Sequence, residues 1–368
     1  MTGQARNLNV KFGKHSSVSD FTATPGTLIQ LAPEGTPGFM PAERMHLDRG
    51  ATTAGARWLG AIAGPIDVSG SYGLDLIMRG MSGNAGGVVD AEAASEVGSV
   101  LDVLFGGDST DPSGSGSTVA GGVGATPTLI LVSGTNYSAG QAVLFPTTTA
   151  THAREIVSKA TDTLTLDRDY SGTPTNGTVV YRAPYWVIDP SIIQHKHGYF
   201  DVEGEDWRRT YLACMGTGKL MFPTNNYVML STTWNANDIS DSAEANPTYT
   251  EATAGNTLVA VNSYMYFGDT AYTFRDLQID LGGKVTKREA NNGAQGVHGY
   301  GVFEKKVKIS GKLYLGDDTA LGDIDDSSFT PLNMNIGQAT DLAAGANKIT
   351  FDWALQVGVS PGSAMYCR

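Results

Sequence analysis

Between Ile66 and Arg79 apolar and polar residues alternate without a break. Ile66, Val68, Gly70, Tyr72, Leu74, Leu76 and Met78 fall on one side, and Asp67, Ser69, Ser71, Gly73, Asp75 and Arg79 on the other. Successive side chains of a strand point to opposite faces, so this period of two predicts a β-strand. Unbroken, it would extend about 40 Å at about 3.3 Å per residue, against a usual strand of about 5–6 residues. Either a bend at Gly70 or Gly73 divides it, or it protrudes past one sandwich and pairs with a second copy. The second option follows from the cost of leaving edge N–H and C=O groups unpaired.

The same reading gives further strands at 192–203, 212–222, 227–234, 258–267, 272–281, 297–315 and 348–359. After Tyr300, Phe303, Val307, Ile309, Leu313 and Leu315 share a face, while Glu304, Lys306, Lys308, Ser310 and Lys312 take the other. One side is core and the other wet. The spacing changes at Asp90: Ala93, Val97, Val100, Leu101 and Leu104 recur at helical intervals, with Asp90 as cap, Glu92 in the first turn and Gly106-Gly107 as stop. A helix is predicted over 91–105.

Residues 1–27 show no sustained period and read as an extended arm that orders on meeting a partner. Residues 108–126 are rich in Gly and Ser and read as a linker. Beyond it, five short apolar runs separated by turn residues predict a small inserted barrel or sandwich over 127–184. The expected organisation is an arm, 1–27, a main β-sandwich built from 28–126 and 185–368, and the insertion between its halves. The fold class expected is mainly β with one flanking helix.

Composition supports strands. The chain has 368 residues, enough for a full core, and its 46 Gly and 15 Pro with many β-branched residues disfavour helical bundles. Charged residues make up only 17%, below the usual value of about 25%. The net charge of −12 is the wrong sign for gripping phosphates. Cys214 and Cys367 are too few for a disulfide framework. With neither a signal-peptide pattern nor a membrane-spanning run, the expected place of synthesis and folding is a cytoplasm.

Candidate chemistry adds little. His195 and His197 would share a strand face, but no third ligand is evident and metal sites need three or four. Asp317, Asp318, Asp323, Asp325 and Asp326 lack the Gly and terminal Glu of a calcium loop. The run G-V-S-P-G at 358–362 matches a nucleophile elbow around Ser360, yet six residues follow and leave no room for the required helix. Trp58, Trp186, Trp207, Trp234 and Trp353 are scattered, which suits core or interface anchors better than a glycan platform. No catalytic residue, cofactor or metal is expected.

Three stretches resemble the tail tube (major tail) proteins of long-tailed bacteriophages. One is 64–87 followed by the helix at Asp90. The second is 211–234, Y-L-A-C-M-G-T-G-K-L-M-F-P-T-N-N-Y-V-M-L-S-T-T-W, similar to the family's hairpin. The third is F-R-D-L-Q-I-D-L at 274–281 with V-K-I-S-G-K-L-Y at 307–314, similar to its closing strand pair. The resemblance implies a β-sandwich assembled as stacked, hexameric rings in the virion tail. Self-contacts, the tape measure and terminator proteins, and DNA passing without specific binding are the partners it implies. Leu74, Leu76, Met78, Tyr227 and Trp234 are the self-assembly residues expected. The insertion departs from the family's minimal core. A capsid-decorating or adhesive β-protein, or a carbohydrate-binding module or enzyme, are the alternative readings.

Overall fold

The computed structural model describes residues 9–15, 27–28, 42–48, 61–68, 72–77, 97–106, 116–122, 126–139, 141–148, 151–166, 169–183, 197–203, 207–224, 226, 228–243, 264–267, 270–289, 297–303, 307–314, 332–336, 349–353, 355–356 and 366–367. Strands β1 (Asn9–Lys14), β2 (Thr27–Leu28), β3 (Ala42–Asp48), β4 (Ala61–Val68) and β5 (Tyr72–Ile77) precede helix α1 (Gly98–Phe105). Six strands follow: β6 (Ser117–Gly122), β7 (Thr128–Leu131), β8 (Ala142–Pro146), β9 (Thr151–Ala160), β10 (Thr163–Leu166) and β11 (Val179–Ala183). Next come β12 (Gly198–Glu203), β13 (Trp207–Phe222), β14 (Met229–Asn235), β15 (Asp238–Ala243), β16 (Tyr264–Phe267) and β17 (Thr270–Asp280). The last are β18 (Lys284–Glu289), β19 (Val297–Phe303), β20 (Lys308–Tyr314), β21 (Leu332–Ile336), β22 (Ile349–Trp353), β23 (Leu355–Gln356) and β24 (Tyr366–Cys367). The fold is mainly β, with one helix among the described residues and antiparallel ladders throughout.

A twelve-stranded sheet runs β2-β1-β12-β13-β17-β16-β21-β22, with β14, β15, β20 and β5 branching from it. Its organiser is β13, whose 16 residues serve two sets of neighbours. Its first half lies between β12 and β15, with Phe200 opposite Tyr211 and Ile239 also opposite Tyr211. Its second half lies between β14 and β17, with Leu220 opposite both Leu230 and Ile279. Where the halves meet, the β12 register shifts between Gly198 and Phe200 and Ala213 takes a φ of 49°. An extra residue in one strand bends it and sharpens its twist. The strand therefore turns a corner here and brings both sets of neighbours onto one core.

That core joins Val10, Phe12, Phe200, Val202, Met215, Leu220, Phe222, Leu230, Trp234, Leu277 and Ile279 to Val100, Leu101 and Leu104 of the helix. The helix is buried on almost every side, as its apolar composition requires. Gly106, at φ 89°, ends it and donates its N–H to the Asp102 carbonyl at 2.9 Å. Close approach to β13 depends on Gly218, where a Cβ would stand 2.8 Å from Leu104 Cδ1. The hairpin expected over 211–234 is β13 with β14, and the pair expected over 274–281 and 307–314 is β17 with β20.

Several expectations need correction. The arm expected over 1–27 contains β1, which pairs along its whole length with β12 and buries Val10 and Phe12 in the main core. The long alternation is divided: β4 pairs with β3 in a separate two-stranded ladder, whereas β5 joins the large sheet beside β14. Its total length therefore gives no reason to invoke a second copy. The run at 297–315 is likewise two strands, β19 on β18 and β20 on β17. Of the helix expected over 91–105, the structure describes the part from Val97 onward, and 91–96 lie outside the described residues.

The insertion is a closed barrel of six strands, ordered β10-β7-β6-β11-β8-β9, rather than five. Its first strand, β6, lies in the stretch read as linker, so the barrel starts at Ser117 and not at 127. Entry and exit are neighbours, because Ser117 pairs with Val180. Deleting 117–183 across a short Gly linker is therefore expected to leave the large sheet folded by circular dichroism. Deleting 127–184 should be worse, because it strands β6, whose Val119 is buried only in the barrel core. Loss of the sheet signal in the first deletion would refute this.

Candidate functional site

The polar side chains of β1, β12 and β13 form a crossed lattice across three strands. Lys11 stands opposite Asp201 but reaches diagonally to Glu203 at 2.8 Å. Arg208 stands opposite Glu203 but reaches diagonally to Asp201 at 2.7 Å. Asp201 also accepts from the Thr210 hydroxyl at 2.6 Å. Both carboxylates are buried, so charge-assisted bonds replace their water. On the other side of β1, Lys14 binds the buried carboxylate of Asp102 on α1 at 2.9 Å.

One buried imidazole, that of His15, caps the corner of β13. The Ala213 N–H, turned out of the ladder at the bulge, donates to His15 Nε2 at 3.2 Å, and the His15 ring lies 5.2 Å from that of Tyr199. The backbone N–H of His15 donates to the His197 backbone carbonyl at 2.9 Å. The His197 ring turns toward the β18–β19 hairpin, its Nε2 3.4 Å from the Tyr300 carbonyl oxygen. Burial holds this imidazole below the ordinary histidine range, the Tyr300 carbonyl opposes that, and the charge of Arg288 adds to the lowering. His197 is thus a joint between elements rather than half of an exposed metal pair. His195 lies outside the described residues.

The barrel has its own buried polar layer. Arg182 donates to the Asn136 carbonyl at 2.7 Å and lies over the Tyr137 ring, while the Tyr137 hydroxyl donates to the Val180 carbonyl at 2.9 Å. Arg154 donates to the Asp169 carbonyl at 3.0 Å, and His152 Nε2 lies 2.9 Å from the Ser171 carbonyl oxygen. These bonds tie loops to strands and leave the side chains enclosed.

Of the expected assembly residues, Leu76 and Trp234 are fully buried in the chain's own core, so neither can touch another copy. Trp234 packs tilted against Phe12 and edge-on against Phe200, with ring centroids 5.3 and 5.0 Å away, and its indole N–H donates to the Thr232 hydroxyl at 2.7 Å. Leu74 stands opposite Thr232 in the β5 ladder, and Met78 and Tyr227 lie outside the described residues. Ser360 and Asp317 to Asp326 also lie outside them. Cys214 is buried, and that burial pushes its thiol far up, so it is inert.

Among the described residues no group of three or more His, Cys, Asp or Glu could hold a metal ion, and no helix is long and apolar enough to cross a membrane. The two-stranded ladders β3–β4, β18–β19 and β23–β24 lie outside the large sheet, and β5 has no second partner among the described residues. Along β18, Lys284, Thr286, Lys287 and Arg288 are exposed while Val285 packs on the core. No protein-family model matches the chain, and a search of curated proteins finds no match.

Proposed function

We propose that the chain is a structural subunit of a virion tail that assembles with its own copies into stacked rings, the tube of a long-tailed bacteriophage. Assembly would take place in the bacterial cytoplasm, with tape measure and terminator proteins as further partners and DNA passing along the lumen. No catalytic role is proposed.

The observation that carries the reading is the set of strand edges with no ladder partner among the described residues. Three two-stranded ladders, β3–β4, β18–β19 and β23–β24, are not hydrogen-bonded into the large sheet, and β5 ends a branch of it with one edge unpaired among the described residues. Exposed edges are templates for strand addition, which polymer subunits use and monomers blunt. Two of the three stretches that carry the resemblance hold antiparallel ladders, β13 with β14 and β17 with β20. An acidic surface also suits a conduit that must not retain DNA. A glycan platform loses support, because Trp234 is buried and Trp207 packs against the core.

Negative-stain images of purified full-length protein, taken over a range of concentrations, are the test. Regular rings or short tubes are the expected result. A particle that stays monomeric in sedimentation at the highest soluble concentration, and is absent from assembled virions, would end the tube reading.

A further inference from the structure

Strands β17 and β18 run antiparallel to β20 and β19 as one interrupted ribbon. Asp280 stands opposite Lys308, and beyond the break at 281–283 the ladder resumes with Lys284 opposite Phe303, within one residue of the same register. Gly282 and Gly283, at φ 68° and 104°, form the break, where a side chain would be strained. Past it, Val285 and Tyr300 pack against the main core and Val302 is buried in it. The other side of the ribbon is basic. Lys284, Lys308 and Lys312 are exposed along it, and Arg275, opposite Lys312, is bound by Asp276 at 3.0 Å. Residues 270–314 carry eight Lys and Arg against four Asp and Glu, a net of +4 in a chain of −12, so the rest of the chain stands at −16.

The far end of the same sheet has the opposite sign. Across β5, β14, β13, β17 and β20, one cross-strand row reads Asp75, Ser231, Lys219, Asp280, Lys308. Residues directly opposite in a ladder share a face. The five therefore lie on the side away from Leu76, Leu230, Leu220 and Ile279, which face the core. Inside the row Lys219 binds Asp280 at 3.3 Å. An exposed lysine ends it on β20 and a half-buried carboxylate ends it on β5. The stretch 61–96, which holds β4 and β5, carries five carboxylates and a single cation, Arg79.

We infer that the ribbon 270–314 is a basic docking arm for the acidic β4–β5 side of a second copy, so that copies meet head to tail. The choice of partner rests on the assembly reading above; the surfaces follow from charge. A two-fold contact between identical ribbons would set lysines against lysines, whereas a head-to-tail contact joins opposite signs and leaves both end surfaces ready for the next copy. Nucleic acid is the weaker partner, because the −16 of the remaining chain repels it.

Sedimentation velocity of the full-length protein in about 50 mM and about 500 mM NaCl tests this, since salt screens contacts between exposed charges. The association constant should fall about tenfold or more at the higher salt. Lys284→Glu, Lys308→Glu, Lys312→Glu together should leave the circular dichroism unchanged and weaken association at low salt by a similar factor. Asp67→Lys with Asp75→Lys should do the same from the other side. An equal mixture of the two variants should associate again, because each supplies the sign that the other has lost. A wild type that stays monomeric at low salt, a triple lysine variant that associates as the wild type does, or a mixture no better than its components would overturn the inference. Should the aspartate variant fail to fold, carbodiimide cross-linking of mixed isotopically light and heavy wild type decides. Links from Lys284, Lys308 or Lys312 of one copy to carboxylates within 61–96 of another are expected, and their absence overturns the inference. So does a wild type that binds a single-stranded DNA oligonucleotide through these lysines without self-association. Tubes built equally well by the triple variant would sink the docking arm and leave the tube reading standing, while salt-sensitive head-to-tail chains that never form rings would do the reverse.

Discussion

Removing residues 1–15 is expected to unfold the large sheet, not merely to weaken contacts between copies. Strand β1 lies between β2 and β12, so its loss exposes the whole edge of β12. It also removes Val10 and Phe12 from the core, and Phe12 supports Phe200 and Trp234 at ring distances of 4.7 and 5.3 Å. Two cations leave with it, stripping Glu203 and Asp102 of the lysines that bind them. A single change, Phe12→Ala, should cost about 3–5 kcal/mol, the usual penalty for emptying a buried aromatic site. Against a total stability of about 5–15 kcal/mol, that is a large fraction. Denaturant titration of Phe12→Ala and near-ultraviolet circular dichroism of the truncated chain measure both effects. A truncated protein with a wild-type cooperative transition would show that β1 is an accessory strand.

Why β1 escapes a reading of the sequence is instructive. Its six residues, N-V-K-F-G-K, carry only two large apolar side chains, and the lysines between them suggest a solvated arm. Their ammonium groups instead point to buried carboxylates 192 and 88 residues away, which local pattern cannot reveal. β6 is hidden for a related reason: S-T-V-A-G-G buries one large residue, Val119, and depends on ladder bonds for its place in the barrel. By contrast β13, β14, β17 and β20 fall in runs whose pattern gave strands, and the pairing expected for them came from the resemblance. Periodicity also assigns Leu76 to an apolar face without saying what covers that face. Here the chain covers it itself. The corner at Ala213 left no mark at all, because a bulge capped by a histidine 198 residues away has no local signature.

The second large effect should come from Asp201, which is fully buried at the centre of the crossed lattice. Asp201→Ala would take the anion from between the Arg208 guanidinium and the Thr210 hydroxyl, at 2.7 and 2.6 Å. Breaking one side of a buried ion pair costs about 3–5 kcal/mol, much of it from the charge left behind. If that is the origin, removing the guanidinium as well should recover part of the loss. The double variant Asp201→Ala, Arg208→Met should then be more stable than Asp201→Ala alone, with a coupling of about 1–3 kcal/mol in a double-mutant cycle. Denaturant midpoints of the four proteins give the cycle, and strictly additive losses would mean that the pair contributes packing and not charge. The diagonals make a further demand. Lys11 and Arg208 each bypass the carboxylate directly opposite and bind the next one along β12. A slip of either outer strand by one residue would turn its cation to the opposite face of the sheet, where Val10, Phe12, Phe200 and Val202 form the core. The lattice therefore fixes the register that the apolar face alone leaves to Phe12, and Asp201→Ala should lower the cooperativity of unfolding as well as its midpoint.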